Sequence, residues 1–569
     1  MTLLIALMLL VMSGVAAMTL SRFVATRLLG IIAGAAAVPA AVSLLFGPIE
    51  TPPALVLFEL GAMQATVLPA IGLQTRALAV MLLLGAAAAQ WLLAAALPLS
   101  LRGFGAIFGW GQIAVAATLI SLAAPAASVL VPLTWAVTML AAHAARVSSG
   151  VAAEEDGPPA NLVTAALAIT AISGFVAWRA ALPATDLPPT GLALAVIAAA
   201  LALAGAPPLT IARAPFASAP LPLQLLIGSL VLPTLGIGYL TQFLNDLPTV
   251  PPLWGNLLLI IGLAGAPAAA LGALSAGRLR LLVLWLSAAQ VSAVVIALAL
   301  GDPLAVLAAP SLLAGAMISS VILTAAATVY ERQVGSDQLY IQSGTAVSPW
   351  FALIWLLGVL AAVGVPPFFT FWGRLWLFEA VAAQYEHLAW AVPLAAGLLL
   401  PAGLWPLGRF FAAQYRRAGV LLPFELTIAG VAAFLLAMLG LWPELAWSAW
   451  LSWLSFAPPA LPVDPSGRLL LLTALLPIPV LWWALRAPAP PRAERDIEEE
   501  PVYLPPAALI SPLRHLLAAA DATPLLQLGQ RLIDSAGHVV QSLIAPFEQR
   551  YYLLGVLAAL ISIMLLMAQ

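Results

Sequence analysis

Arg374 is the residue best placed for chemistry in this sequence. It closes the stretch Gly364-Val365-Pro366-Pro367-Phe368-Phe369-Thr370-Phe371-Trp372-Gly373-Arg374, which follows an apolar run long enough to cross a bilayer. The Pro-Pro pair removes two backbone N–H donors and disfavours helix just before it. In lipid the carbonyls so freed need other partners, so such a break belongs inside a bundle or beside a hydrated cavity. A guanidinium at that depth is costly, and it marks a functional site by default. The same spacing also fits a loop between two spans with one interfacial arginine.

Other ionisable side chains are few. The chain of 569 residues is 63% hydrophobic and 8% charged, with a net charge of −2. A soluble domain carries about 25% charge, so these figures, with a mean hydropathy of +1.08, define an all-α polytopic membrane protein. The charge balance offers no footprint for nucleic acid. Cysteine is absent, which excludes disulfides, thiolate-bound iron–sulfur clusters and zinc–thiolate sites. His143, His387, His515 and His538 are scattered without metal-ligand spacing. No catalytic, metal or cofactor-binding group is expected. All 21 basic residues are arginine. A mechanism that needs a lysine of adjustable pKa therefore cannot run here, because arginine stays protonated.

The apolar runs predict spans over 2–20 and 28–46, then from near Pro53, Ala77, Gly103 and Ala127. Further spans are expected over 161–181, 189–206, 221–244, 253–274, 281–300, 304–329, 346–368, 371–385, 388–408, 421–442 and 468–486. About 14 to 17 helices joined by loops of about two to eight residues would form a tightly connected bundle over residues 1–486. Residues 487–508 are Pro-rich and charged, as in an exposed linker. Residues 509–547 alternate charged groups with leucines, which predicts an amphipathic surface helix of at most about 60 Å. Residues 551–568 complete the chain as an anchor span. The expected location is the bilayer of a bacterial cytoplasmic membrane.

The pattern Gly-Val-Pro-Pro-Phe-x-x-Phe-x-x-Arg resembles the broken-helix motif of the antiporter-like membrane subunits of respiratory complex I. The same family includes multisubunit cation/proton (Mrp-type) antiporters and membrane-bound hydrogenases. The usual form there has Gly-Ile-Pro-Pro, a Gly-Phe pair and a lysine; here Thr370 replaces the second glycine and Arg374 stands at the lysine. Three more segments resemble the family in matching order. Leu257 to Gln290 keeps a basic position at Arg280 and polar positions at Ser287 and Gln290. Gly205 to Phe216 resembles the segment ending in Pro-Phe-His-x-Trp, with Ala217 and Ala219 in place of the His and Trp. Gly228 to Phe243 resembles the next helix.

The resemblance implies a bundle with discontinuous helices, partnered by other membrane subunits. In the family, buried lysines and a glutamate form a hydrated charge chain across the midplane. Carried over residue by residue, the glutamate falls on Ala136 and two lysines fall on Thr210 and Thr234. A His and a Lys fall on Gly315 and Ser319, and the last lysine falls on Arg374. The resemblance thus implies a degenerate path. The candidates left for it are Arg374, Glu379, Glu59, Arg280 and Gln290, with Glu425 a further intramembrane carboxylate. A buried ion pair of Arg374 with Glu379 or Glu59 is a structural alternative to an ion path. Three readings follow: a membrane subunit with a structural role, an active proton or sodium translocator that uses carboxylates, and an unrelated transporter with midplane broken helices.

Overall fold

The computed structural model describes residues 2–442, except 47–54, 61–62, 68–72, 98–103, 151–159, 183–185, 208, 210–212, 214–215, 217–218, 275, 335–336, 339–348 and 413–423. The linker, surface helix and anchor expected beyond residue 486, and the span at 468–486, lie outside the described residues.

Fifteen helices make up the described part. They are α1 (Thr2–Thr19), α2 (Thr26–Leu45), α3 (Leu73–Ala96), α4 (Gly105–Ala123), α5 (Leu130–Ser148), α6 (Ala160–Ala181), α7 (Thr190–Ala204) and α8 (Leu221–Asn245). Then follow α9 (Pro252–Leu274), α10 (Leu279–Leu300), α11 (Pro303–Val334), α12 (Pro349–Val363), α13 (Thr370–Gln384), α14 (Ala391–Ala412) and α15 (Phe424–Leu441). Eleven are long and apolar enough to cross a membrane, so the chain is an integral membrane protein of the all-α class. Helices dominate because a bilayer offers no partner for a bare peptide group, and a helix satisfies its own. The outer faces of α1, α2 and α15 stay apolar and exposed, with Met8, Met12, Ile32 and Phe434 among them.

The helix α11 is the axis of the second half. It packs against α3, α10, α12, α13 and α15. Its length exceeds the expected 304–329 at the C-terminal end, where Arg332 meets Glu425 of α15. A π-helical segment, Leu225–Val231, interrupts α8. Such wide turns leave a local mismatch in the backbone ladder and recur at functional positions.

Two expectations fail. The span expected from Pro53 is instead a hairpin, β1 (Leu55–Leu60) and β2 (Met63–Val67), with Glu59 opposite Gln64. The apolar run between Pro53 and Pro69 would reach only about 24 Å as a helix, short of the roughly 30 Å hydrocarbon core. Ser128 anchors the hairpin. Its hydroxyl accepts from the Thr66 N–H at 3.0 Å and donates to the Thr66 carbonyl at 2.9 Å. The second failure is the short-loop rule, because α7 and α8 are joined by the long segment 205–220.

Candidate functional site

The site is built on two helix ends. The helix α12 stops at Val363, and Gly364 takes the left-handed conformation at φ 77°. The Gly364 N–H donates to the Ala361 carbonyl at 3.3 Å, and the Val365 N–H donates to Leu360 at 3.1 Å. This is a Schellman closure, which only glycine enters without strain. The peptide between Pro366 and Pro367 is cis. After it, α13 brings Arg374 back against the end of α12. The guanidinium Nη2 donates to the Ala362 carbonyl at 3.1 Å, and Arg374 is 7% exposed. A Cβ on Gly364 would lie 2.8 Å from Arg374 Cδ and 2.9 Å from its Nε. The glycine therefore serves both the turn and the arginine.

The donors and acceptors of the break find partners on α15. The Phe369 N–H donates to the Leu436 carbonyl at 3.0 Å, and Trp372 Nε1 donates to the Gly440 carbonyl at 2.8 Å. A side chain at Gly440 would collide with the Pro367 carbonyl.

The end of α7 repeats this construction. Gly205 is left-handed at φ 65°. Its N–H donates to Ala202 at 3.2 Å, and the Ala206 N–H donates to Leu201 at 3.1 Å. Arg213, 2% exposed, donates through Nη2 to the Ala204 carbonyl, and a Cβ on Gly205 would collide with its Nε. Sequence reasoning missed Arg213. The signal was present: Gly205-Ala206-Pro207-Pro208 and Gly364-Val365-Pro366-Pro367 share Gly-x-Pro-Pro, each followed by an arginine about two to three helical turns later.

A series of buried neutral polar groups on α10, α11 and α13 neighbours the two arginines, with direct contacts at Arg213–Ser287 and Gln290–Ser319. Arg213 Nη1 makes a long 3.4 Å contact to Ser287 Oγ. Ser287 and Gln290 are one turn apart on α10 and share a face. Gln290 Nε2 donates to Ser319 Oγ of α11 at 3.0 Å, and Ser319 donates to the Ala316 carbonyl at 3.1 Å. Gly315 lies one turn before Ser319, and a side chain there would collide with the Thr370 hydroxyl. Thr370 precedes Arg374 by one turn of α13. Gln290, Ser319 and Thr370 are all buried. Among the described residues, Gln290 Oε1, Thr370 Oγ1 and the Nε atoms of both arginines have no hydrogen-bond partner.

The remaining candidates stand apart from this thread. Arg280, at the start of α10, pairs with Glu331 and Asp337 (3.6 Å to the latter) and donates to the Ala219 carbonyl at 3.0 Å. Glu59 is exposed on the hairpin and accepts from Gln64 Nε2 at 3.2 Å. Glu379 is half-buried on α13, and neither it nor Glu59 forms an ion pair with Arg374. The expected structural pair is thus not made. Two distant residues account for this: Glu59 sits on the exposed hairpin, and Glu379 lies five residues along the same helix, which points it away from the arginine. Glu425, 2% exposed, is bound by Arg332. Ala136 sits beside Trp135, whose Nε1 donates to Ser121 at 3.2 Å. Thr234 is buried and donates to its own helix at Leu230, 2.6 Å away. Thr210 and Ala217 lie outside the described residues. Among the described residues, no three His, Asp or Glu side chains converge as metal ligands would.

No curated protein sequence matches this chain. Among the solved structures that share its fold are three membrane complexes. One is the Mrp complex of Dietzia sp. DQ12-45-1b, at 18% identity and TM-score 0.68, covering 98% of this chain and 63% of that one. The chain therefore spans less than two thirds of that Mrp polypeptide. Another is the archaeal membrane-bound sulfane sulfur reductase, at 16% identity and TM-score 0.65, covering 82% of this chain and 99% of that one. The third is respiratory complex I of Thermus thermophilus with bound NADH, at 17% identity and TM-score 0.64, covering 83% and 100%. Residues 189–400, little more than a third of the chain and holding both arginines and the groups between them, match the family described as NADH:quinone oxidoreductase/Mrp antiporter, TM.

Proposed function

We propose that the protein is a membrane subunit of a complex I- or Mrp-type assembly whose own interior does not translocate ions, and whose role is structural. One observation carries this reading. The interior line from Arg213 to Arg374 contains hydroxyls, an amide and two guanidiniums, and the chain has no lysine. A proton relay needs groups that accept and release protons near neutral pH. Hydroxyls and amides do not titrate there, and guanidinium holds its proton. The carboxylates that a translocator would need lie off this line: Glu425 is bound to Arg332 and Glu59 is exposed.

Partner subunits are proposed because the same fold occurs in an Mrp complex, an archaeal respiratory membrane complex and respiratory complex I. The test is purification of the tagged chain in mild detergent, with mass spectrometry of what accompanies it. Co-purifying membrane subunits related to complex I, Mrp antiporters or membrane-bound reductases are expected. A clean monomer or homo-oligomer would contradict the assembly.

A further inference from the structure

We propose that Arg213 and Arg374 are tethered cations that plug the two cation-attracting helix ends of the interior, so that the thread between them is sealed against protons and metal cations. This inference rests on the closed-interior reading and supplies its physical cause.

The argument begins with the backbone. A helix that ends inside the membrane presents unpaired carbonyls and the negative end of its dipole. In proteins with discontinuous membrane helices, such ends are where a coupling cation binds. Here α7 and α12 both end in the interior, at Ala204 and Val363. At each end a guanidinium already occupies the position, bound to Ala204 in one case and Ala362 in the other. Both side chains are more than nine-tenths buried, and neither is paired with a carboxylate among the described residues. Each also fills the space left by the missing Cβ of a left-handed glycine. The plug and its socket are thus specified together, twice.

A guanidinium differs from a lysine at the same place because it does not surrender its charge. A second unit charge about 4 Å away, at an effective dielectric of about 20, is disfavoured by roughly a thousandfold. Fixed arginines that bar protons and cations from narrow membrane paths follow the same physics. The groups between the plugs (Ser287, Gln290, Ser319 and Thr370) are those on which a proton or cation would otherwise be handed along.

The experiment is passive proton leak into liposomes holding the purified full-length chain, under a potassium-diffusion potential. Wild type is compared with Arg213→Gln, Arg374→Gln, the double variant, and Arg374→Lys, whose cation can deprotonate. Thermal melting and size exclusion first establish that each is folded. The wild type should match empty liposomes. The double Gln variant should leak at least tenfold faster, and Gln290→Leu added to it should suppress the leak. Arg374→Lys, which can release its proton, should leak as well. A purely structural cap would leave every folded variant as tight as wild type, and that result would overturn the plug. A leak in wild type that Arg374→Ala abolishes would instead overturn the closed-interior reading itself.

Discussion

Arg374 Nη2 donates to the carbonyl of Ala362 at 3.1 Å, across a break that separates the two residues by twelve positions. The side chain of one half-helix thereby caps the C-terminus of the half-helix before it. Arg213 stands in the same relation to Ala204. The two contacts share a backbone turn, a glycine and a pair of prolines.

At Gly364 and Gly205, alanine is expected to be disruptive. The left-handed backbone alone costs about 1–2 kcal/mol, and the added methyl group must displace a buried arginine. The Cβ distance at Gly364 is 2.8 Å from a flexible methylene, whereas at Gly205 it is a direct collision. Thermal melts in detergent should therefore show Gly205→Ala to be the more destabilising of the two.

Substitution of Arg374 tests what the buried charge contributes. An ammonium is more strongly hydrated than a guanidinium and lacks its planar fork. Arg374→Lys should destabilise by about 1–3 kcal/mol. Arg374→Met removes the desolvated charge along with the hydrogen bond, so it should cost less than the lysine substitution. If melting temperatures rank lysine above methionine, the charge itself is stabilising and this ordering is wrong.

On the thread, Gln290 and Ser319 are predicted to couple. Ser319→Ala leaves Gln290 with neither amide atom bonded, at about 1–2 kcal/mol. Gln290→Leu removes both the bond and the unpaired Oε1, and should stay within about 1 kcal/mol of wild type. A double-mutant cycle should give a coupling of about 1 kcal/mol. A value indistinguishable from zero would mean that the 3.0 Å contact contributes nothing.

At the rim of the bundle, Arg332→Ala strips the partner from Glu425, which is 2% exposed. Arg332 itself is half exposed, which limits the loss to about 1–2 kcal/mol. Adding Glu425→Gln should recover part of it, because the residue left behind is no longer an unpaired carboxylate. Denaturation of the single and double variants measures this.

The helices were legible because lipid imposes one solution on the backbone. Fifteen apolar runs, from 2–20 through 421–442, correspond to the fifteen helices, since length and hydropathy alone decide them. The hairpin at Leu55–Val67 escaped because its residues are as apolar as a span, and only the distance between flanking prolines shows it to be too short. At the candidate site, Arg374 was singled out by the Pro-Pro break and its spacing, and Gln290, Ser319 and Gly315 only by the resemblance, the last two as positions that lost their charge. Arg213 was not, because position-by-position transfer points to Thr210 and the cap depends on a tertiary contact of the Arg213 side chain with the end of α7. Hydrogen bonds across breaks leave no periodicity to read. Only the repeated Gly-x-Pro-Pro could have flagged them.

The central claim, that this chain has the antiporter-like fold with an interior that moves no ions, is tested most directly by one measurement. The purified wild-type chain is reconstituted alone into liposomes and its proton flux is recorded under an imposed potential, with and without a sodium gradient. The account predicts flux equal to that of empty liposomes under both conditions. A flux above that level, lost on Arg374→Ala or on replacement of Glu379 or Glu425 by Gln, would contradict it.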